Sequence, residues 1–181
     1  MPAQRLQILI LALLVAAAPT RSAELDSARD KAVAAIQRVG GRISVDETAS
    51  GRPVIAVDFR RNKILDADLK ALAAFPELKK LDLYDTGITD AGLAHLASLT
   101  RLELLEINSP KVTDAGLKHL KGLVNLKELY LYGTSVSDAG MESLQKMTRL
   151  RKLDVSGTDV TAAGVITLEK VLPRVKIQRG P

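Results

Sequence analysis

The chain has no cysteine, no tryptophan, only two histidines, and aromatic residues at 3% of its 181 positions. Each shortage excludes something. Without cysteine no disulfide can close the fold, and no thiolate can serve as nucleophile, metal ligand or lipid attachment point. Without large rings the core must be built from aliphatic side chains, which the hydrophobic content of 46% allows. His95 and His119 occur singly, each followed by an apolar residue, Leu96 and Leu120. No acid is placed to orient either ring as a catalytic base, and no further ligand completes a zinc site. No phosphate-binding or dinucleotide glycine fingerprint occurs. The chain therefore reads as a non-enzyme, with no catalytic residue, no metal and no cofactor expected.

A long apolar run is also missing. Arg5 is followed by LQILILALLVAAA, Leu6–Ala18, only 13 residues, where a bilayer span needs about 20. The polar, small-residue stretch PTRSA comes next. A basic start, a short apolar segment and small residues form the order of an export signal. Residues 1–22 are expected to be a signal peptide, with Thr20 three places before a cut after Ser22. The mature chain is then expected in the periplasm or outside the cell, without an integral span. Loss of Arg5 and Arg21 takes the formal charge from +5 to +3, too mild to call for nucleic acid or an anionic membrane.

What the chain does have is a repeat. LKKLDLYDTGITDAGLAHLASL (Leu78–Leu99) returns as LELLEINSPKVTDAGLKHLKGL (Leu102–Leu123), LKELYLYGTSVSDAGMESLQKM (Leu126–Met147) and LRKLDVSGTDVTAAGVITLEKV (Leu150–Val171), always at a step of 24. His95 and His119 are equivalent positions of two such copies. VIAVDFRRNKILDADLKALAAF (Val54–Phe75) is a looser first copy, and VKI (Val175–Ile177) a last fragment expected one residue late. Each copy changes period midway. Leu81 and Leu83 alternate with outward residues, as in a strand buried on one face. Leu93, Leu96 and Leu99 then recur every three, as on one face of a short helix. One strand and one helix per repeat make a coil that cannot cover its own apolar face, so stability must come from stacking.

Within VTDAGL, Thr113 sits where a helix N-cap is needed and its hydroxyl can accept a free backbone N–H. Asp114 lies in the first turn, where negative charge suits the helix dipole, and Gly116 is small at a crowded crossing. Thr89, Asp90 and Gly92, then Ser137, Asp138 and Gly140, take the same roles. TDAG is thus expected to be structural, not a cation site. The copies depart from the pattern at Asp68 (for Gly), Pro110 (for Thr) and Ala162 (for Asp).

These residues resemble the leucine-rich repeat family, over Val54 to Ile177. The pattern L-x-x-L-x-L-x-x-T-x-[IV]-[ST]-D-A-G-[LM]-x-x-L is most similar to repeats of secreted bacterial proteins and to those of F-box adaptors. The resemblance implies an α/β fold: a right-handed solenoid with a parallel sheet on its concave face and short helices on its convex face. It also implies binding to proteins, most often through the sheet. Glu24–Val39 reads as a helix with Leu25, Ala28, Ala32, Ile36 and Val39 on one face, and RISV (Arg42–Val45) as a strand. Together, within residues 23–53, they are expected to cap the repeats of residues 54–177. A helix around Thr167–Leu172 and the strand at Val175–Ile177 close the other end, before a tail at residues 178–181.

If Leu81, Leu83 and their equivalents are buried, the residues between them face outward. The central outward column is Asp58, Asp82, Glu106, Tyr130 and Asp154. The next is Arg60, Tyr84, Asn108, Tyr132 and Ser156, and the one before is Ala56, Lys80, Leu104, Glu128 and Lys152. All three tyrosines of the chain fall on this surface, and tyrosine offers a large rigid contact with a polar tip. The acidic run implies a protein partner with a basic patch, its self-repulsion calling for compensation either by Lys80 and Lys152 nearby or by a ligand. The candidate binding residues are Tyr84, Tyr130, Tyr132, Asp82, Glu106, Asp58, Asp154 and Asn108. Two other readings stand beside this one. One is an envelope scaffold without a concave ligand. The other is a ubiquitin-ligase-type adaptor, which the export signal and the lack of a preceding F-box-like segment oppose.

Overall fold

The computed structural model describes residues 21–180, so the signal expected at the N-terminus lies almost wholly outside the described residues. The described chain forms one seven-stranded sheet in strictly sequential order. Its strands are β1 (Arg42–Val45), β2 (Val54–Asp58), β3 (Lys80–Leu83), β4 (Leu104–Ile107), β5 (Glu128–Tyr130), β6 (Lys152–Asp154) and β7 (Lys176–Gln178). β1 runs antiparallel to β2, and every later pair is parallel. Lys80, Leu104, Glu128, Lys152 and Lys176 are register partners from strand to strand. The period of the sequence is therefore the register of the sheet. β7 keeps that register: Ile177 pairs with Leu153, so the last strand is not one residue late.

Short helices return the chain between strands: α2 (Asp90–Ala94), α3 (Asp114–Leu117), α4 (Asp138–Met141) and α5 (Ala162–Val171). Leu93 and Leu117 on these helices, and Leu96 and Leu120 just beyond them, are fully buried in one core with Leu81, Leu83, Leu105 and Ile107. The core is one continuous aliphatic stack, with Phe59 and Phe75 as its only rings. After one α-helical turn α3 and α4 tighten into 3-10 segments, Lys118–Leu120 and Glu142–Leu144. That geometry eclipses residues three apart and fits the three-residue leucine spacing. α5 remains α-helical for 10 residues and starts before the predicted Thr167.

The N-terminal end is covered by α1 (Arg21–Arg38) and β1. The buried stripe of α1 is Ala32 and Ile36, with Val33 and Val39 packed beside them. Leu25 is 62% exposed and Ala28 is also exposed, so the expected stripe is wrong in its first two turns. From Arg29 onward the helix is tied to the rest of the fold: the Arg29 guanidinium donates to the carbonyls of Gly51 and Arg52 in the turn between β1 and β2.

Candidate functional site

The TDAG segments are joined from coil to coil. Thr89, Thr113, Ser137 and Thr161 each accept a backbone N–H two residues on, as N-caps do. The aspartate beside each cap reaches forward into the next coil. Asp90 Oδ1 accepts the Thr113 N–H at 2.8 Å, and its Oδ2 accepts the Thr113 hydroxyl at 2.7 Å. Asp66, Asp114 and Asp138 do the same for Thr89, Ser137 and Thr161. The Thr161 hydroxyl and amide hold the Asp138 carboxyl below its usual range. The glycines serve this contact. A Cβ on Gly116 would stand 2.3 Å from Asp90 Oδ1, and one on Gly140 would stand 2.4 Å from Asp114 Oδ1. Asp68 is tolerated at the glycine position of the first repeat because no earlier repeat aims a carboxylate there. Ala162 stands at the aspartate position of the last repeat, and among the described residues no helix follows for it to cap.

Pro110 changes a turn. Arg61, Asp85, Gly133 and Gly157 occupy the left-handed region at φ 60, 54, 65 and 68. Ser109, at the same repeat position, does not, because the residue before proline is driven to extended backbone. Its hydroxyl donates instead to the Ile88 carbonyl at 2.7 Å.

On the open face of the sheet, Asp58, Asp82 and Glu106 are register partners on neighbouring strands, followed by Tyr130 and Asp154. The acids are largely engaged within the chain. Arg60 Nε and its terminal nitrogen reach Asp82 at 2.9 and 2.6 Å, and the same nitrogen reaches Glu106 at 3.1 Å. Arg42 pairs with Asp58 at 2.5 Å. The relief of repulsion thus comes from Arg42 and Arg60, not from Lys80 and Lys152. Asp58, Asp82 and Asp154 also accept the backbone N–H two residues ahead, from Arg60, Tyr84 and Ser156. Burial opposes ionisation of Asp58, but the Arg60 amide and Arg42 outweigh it and hold the carboxyl below its usual range. At Glu106 burial and the charge of Asp82 outweigh Arg60 and push the carboxyl up. Over the three outward columns, extended to Arg42 and Lys176, five cations face five acids. The acidic character predicted for this face is therefore neutralised within the fold.

The tyrosines are arranged differently from one another. Arg60 lies over the Tyr84 ring at 5.5 Å and Lys152 over the Tyr130 ring at 4.9 Å. The Tyr130 hydroxyl donates to Glu128 at 2.5 Å, and that bond to a carboxylate pushes its pKa up. Tyr132 is 49% exposed. Asn108 donates its amide to the Tyr132 carbonyl at 2.7 Å, so it props the neighbouring coil. Ser156 is buried, covered where the Gly180 N–H meets its hydroxyl. A shallow depression of about 470 Å3 lies at the other end of the face, between β1 and β4, with Lys80, Ala56 and Leu104 on its floor.

His95 is half-buried and His119 exposed, both on the helical side. Among the described residues no group of three or more acids and histidines could hold a metal ion. No helix among them is long and apolar enough to cross a membrane. Sequence reasoning missed Arg42 and the role of Arg60. The repeat register places Arg60 diagonally beside Asp82, which was available as a signal. Arg42 reaches Asp58 only through an antiparallel strand outside the repeat.

Residues 77–97 and 146–168 match the family model described as Leucine Rich repeat. No curated protein matches the chain in sequence. Among solved structures, internalin C2 from Listeria monocytogenes is 23% identical over 61% of this chain, with a TM-score of 0.52. The chain spans 45% of that internalin's length. The leucine-rich repeat ectodomain of the receptor kinase SOBIR1 from Arabidopsis thaliana is 14% identical over 86% of this chain and 92% of its own, with a TM-score of 0.58. At these identities the likeness concerns the fold. Leucine-rich repeat folds generally serve as protein-interaction modules. The period, the parallel sheet and these matches together show that the described residues have the leucine-rich repeat fold.

Proposed function

We propose that the chain is a non-enzymatic, exported binding module that takes a protein partner on the concave sheet around Tyr84, Tyr130 and Tyr132. The observation that carries this reading is the pinning of Tyr84 under Arg60 and of Tyr130 under Lys152, beside the half-exposed Tyr132. Rings already held in place lose little freedom on binding, so their contact area is converted to affinity with less entropic cost. Asp58, Asp82 and Glu106 support the surface by fixing Arg42 and Arg60. Asp154 and Asn108 hold the backbone of neighbouring residues. The balance of charge removes the reason to require a basic partner. The partner patch is better matched by apolar and hydrogen-bonding groups that pack on tyrosine.

The test is a crosslinking capture from envelope and secreted fractions of the source. The bait is the chain from Ala23 onward, and the control carries Tyr84→Ser, Tyr130→Ser and Tyr132→Ser, with its fold checked by circular dichroism. A partner captured by the bait and lost with the folded control supports the concave site. Equal capture by both moves the site elsewhere. An uncleaved N-terminus, seen by mass spectrometry of the cellular protein, would overturn the exported form.

A further inference from the structure

The net charge of this chain sits on one edge of the solenoid. Residues 23–181 hold 24 basic and 21 acidic side chains, and the concave face takes up five of each. The turns that lead from each helix to the next strand are residues 76–79, 100–103, 124–127, 148–151 and 173–175, and they hold six basic and only two acidic side chains. In the earlier coils a cation is matched to an acid one coil away: Arg101 pairs with Glu77, and Lys127 with Glu103 at 2.6 Å. In the coil of Arg149 and Arg151 that matching stops. Asn125 stands where Glu77 stands two coils earlier, and its side-chain carbonyl accepts from Arg149 at 2.8 Å. Asn125 is itself anchored, its amide donating to the Thr100 carbonyl at 2.7 Å. Arg151 follows Lys127 in its row and donates to the carbonyls of Thr148 and Leu150 at 3.0 and 2.9 Å. Among the described residues neither arginine forms an ion pair. Both guanidinium groups are thus oriented by neutral acceptors, which fix a cation without cancelling its charge.

An apolar depression adjoins these arginines. It measures about 220 Å3 and is lined by Leu150, Val171, Leu172 and Pro173, with Arg174 beside them. Its walls are two neighbouring turns of the described solenoid, so it belongs to the edge and not to the end of the stack. Val171 is 47% exposed and adds apolar surface at its mouth. The depression is smaller than the roughly 300–1,000 Å3 of small-molecule sites and suits a single side chain.

We infer that Arg149 and Arg151 dock a short acidic segment of a partner protein, whose carboxylates meet the two guanidinium groups while an apolar residue between them enters the depression. A guanidinium presents paired donors in one plane that match a carboxylate, and a side chain held in place beforehand loses less freedom on binding. The positive stretch is short. Glu77 and Glu103 stand on the same edge, so it runs only from the turn at 124–127 to the turn at 173–175, two strand spacings or about 10 Å. That length fits about three extended residues and is small beside a DNA duplex or a bilayer surface. No aromatic residue occupies these turns, so nothing on this edge stacks on bases. The surface is separate from the tyrosine face and stands whether or not that face binds a partner.

The test titrates the isotope-labelled chain from Ala23 onward with the peptide Glu-Glu-Leu-Glu-Glu and follows the backbone amides by NMR. Saturable shifts gathered at residues 148–151 and 171–174 are expected. Gln-Gln-Leu-Gln-Gln should not bind, and Glu-Glu-Ser-Glu-Glu should bind more weakly. Arg149→Gln together with Arg151→Gln should weaken binding about fivefold or more. Asn125→Glu gives Arg149 the acid that Glu77 gives Arg101 while leaving both arginines in place, and should weaken binding about twofold or more. Both arginines are exposed and Asn125 is half-buried, and circular dichroism checks that each variant is folded. Equal binding of the Gln peptide, shifts centred on the tyrosine face, or unchanged affinity in the folded variants would overturn the site, as would the absence of any shift at millimolar peptide. Comparable binding of phosphatidylserine–phosphatidylcholine vesicles or of a DNA duplex would overturn a protein segment as the occupant. Self-association of the chain that the double arginine variant abolishes would overturn it too, in favour of a second copy.

Discussion

Gly116→Ala and Asp90→Ala should be strongly coupled although they lie in different coils. Asp90 accepts two hydrogen bonds from Thr113, at 2.8 and 2.7 Å. Bonds to a charged acceptor contribute about 1.5–3 kcal/mol each when buried. Asp90 and Thr113 are only half-buried, so Asp90→Ala should cost about 2–3 kcal/mol in total, the Thr113 N–H being left without its partner. Gly116→Ala brings a methyl to 2.3 Å from Asp90 Oδ1 and 3.0 Å from Leu93 Cδ1. Overpacking of this kind costs about 1–3 kcal/mol, against which helix preference for alanine returns about 1 kcal/mol. In the double variant the methyl enters the space that the carboxylate leaves. Gly116→Ala should then be neutral or stabilising, giving a coupling of about 2 kcal/mol. Urea unfolding followed by far-ultraviolet circular dichroism, with the slope compared among the four proteins, measures the cycle. Additivity within about 0.5 kcal/mol would refute the claim that the glycine is there to admit the neighbouring carboxylate. Ala162→Asp is the built-in control and should not stabilise this chain, since among the described residues no further coil offers an amide to it.

Glu106 binds its proton more tightly in the folded chain, because burial and Asp82 push its carboxyl above 4.5. Its contribution to stability is therefore full below about 4.5 and declines as pH rises through the raised folded value. Glu106→Gln should lack that decline, so the difference in urea midpoint between wild type and variant should grow in the variant's favour from about pH 4 to 7. A difference independent of pH refutes this. Asp85, exposed and held at φ 54, should be improved by Asp85→Gly by about 1 kcal/mol; a loss of stability in the same assay would show that its side chain does something the left-handed turn does not require.

Much of this molecule could be read from one period. Leucine at fixed places within each repeat revealed the strands, their register, the buried side of each and the caps at Thr89, Thr113 and Ser137. The helix at the N-terminus was legible as a helix, but its stripe was not. Periodicity identifies which residues share a face, and only packing determines that Leu25 and Ala28 lie beyond the reach of the sheet. The candidate face was legible as a set of outward columns, because side chains alternate along a strand. Its charge was not, because Arg42 enters through an antiparallel pairing that no repeat announces.

The sequence by itself determined the solenoid, since no single coil of this length can bury its own leucines and stacking is the one way to cover them. It also determined which residues appear side by side on the open sheet. Only the tertiary structure decided what those neighbours do to one another. A local reading assigns Asp90 to the dipole of its own helix, whereas stacked coils bring it within 2.8 Å of an amide 23 residues later. Ion pairs and hydrogen bonds depend on separations of a few ångström between side chains. The repeat fixes which rows those side chains join, and the folded backbone fixes whether they meet.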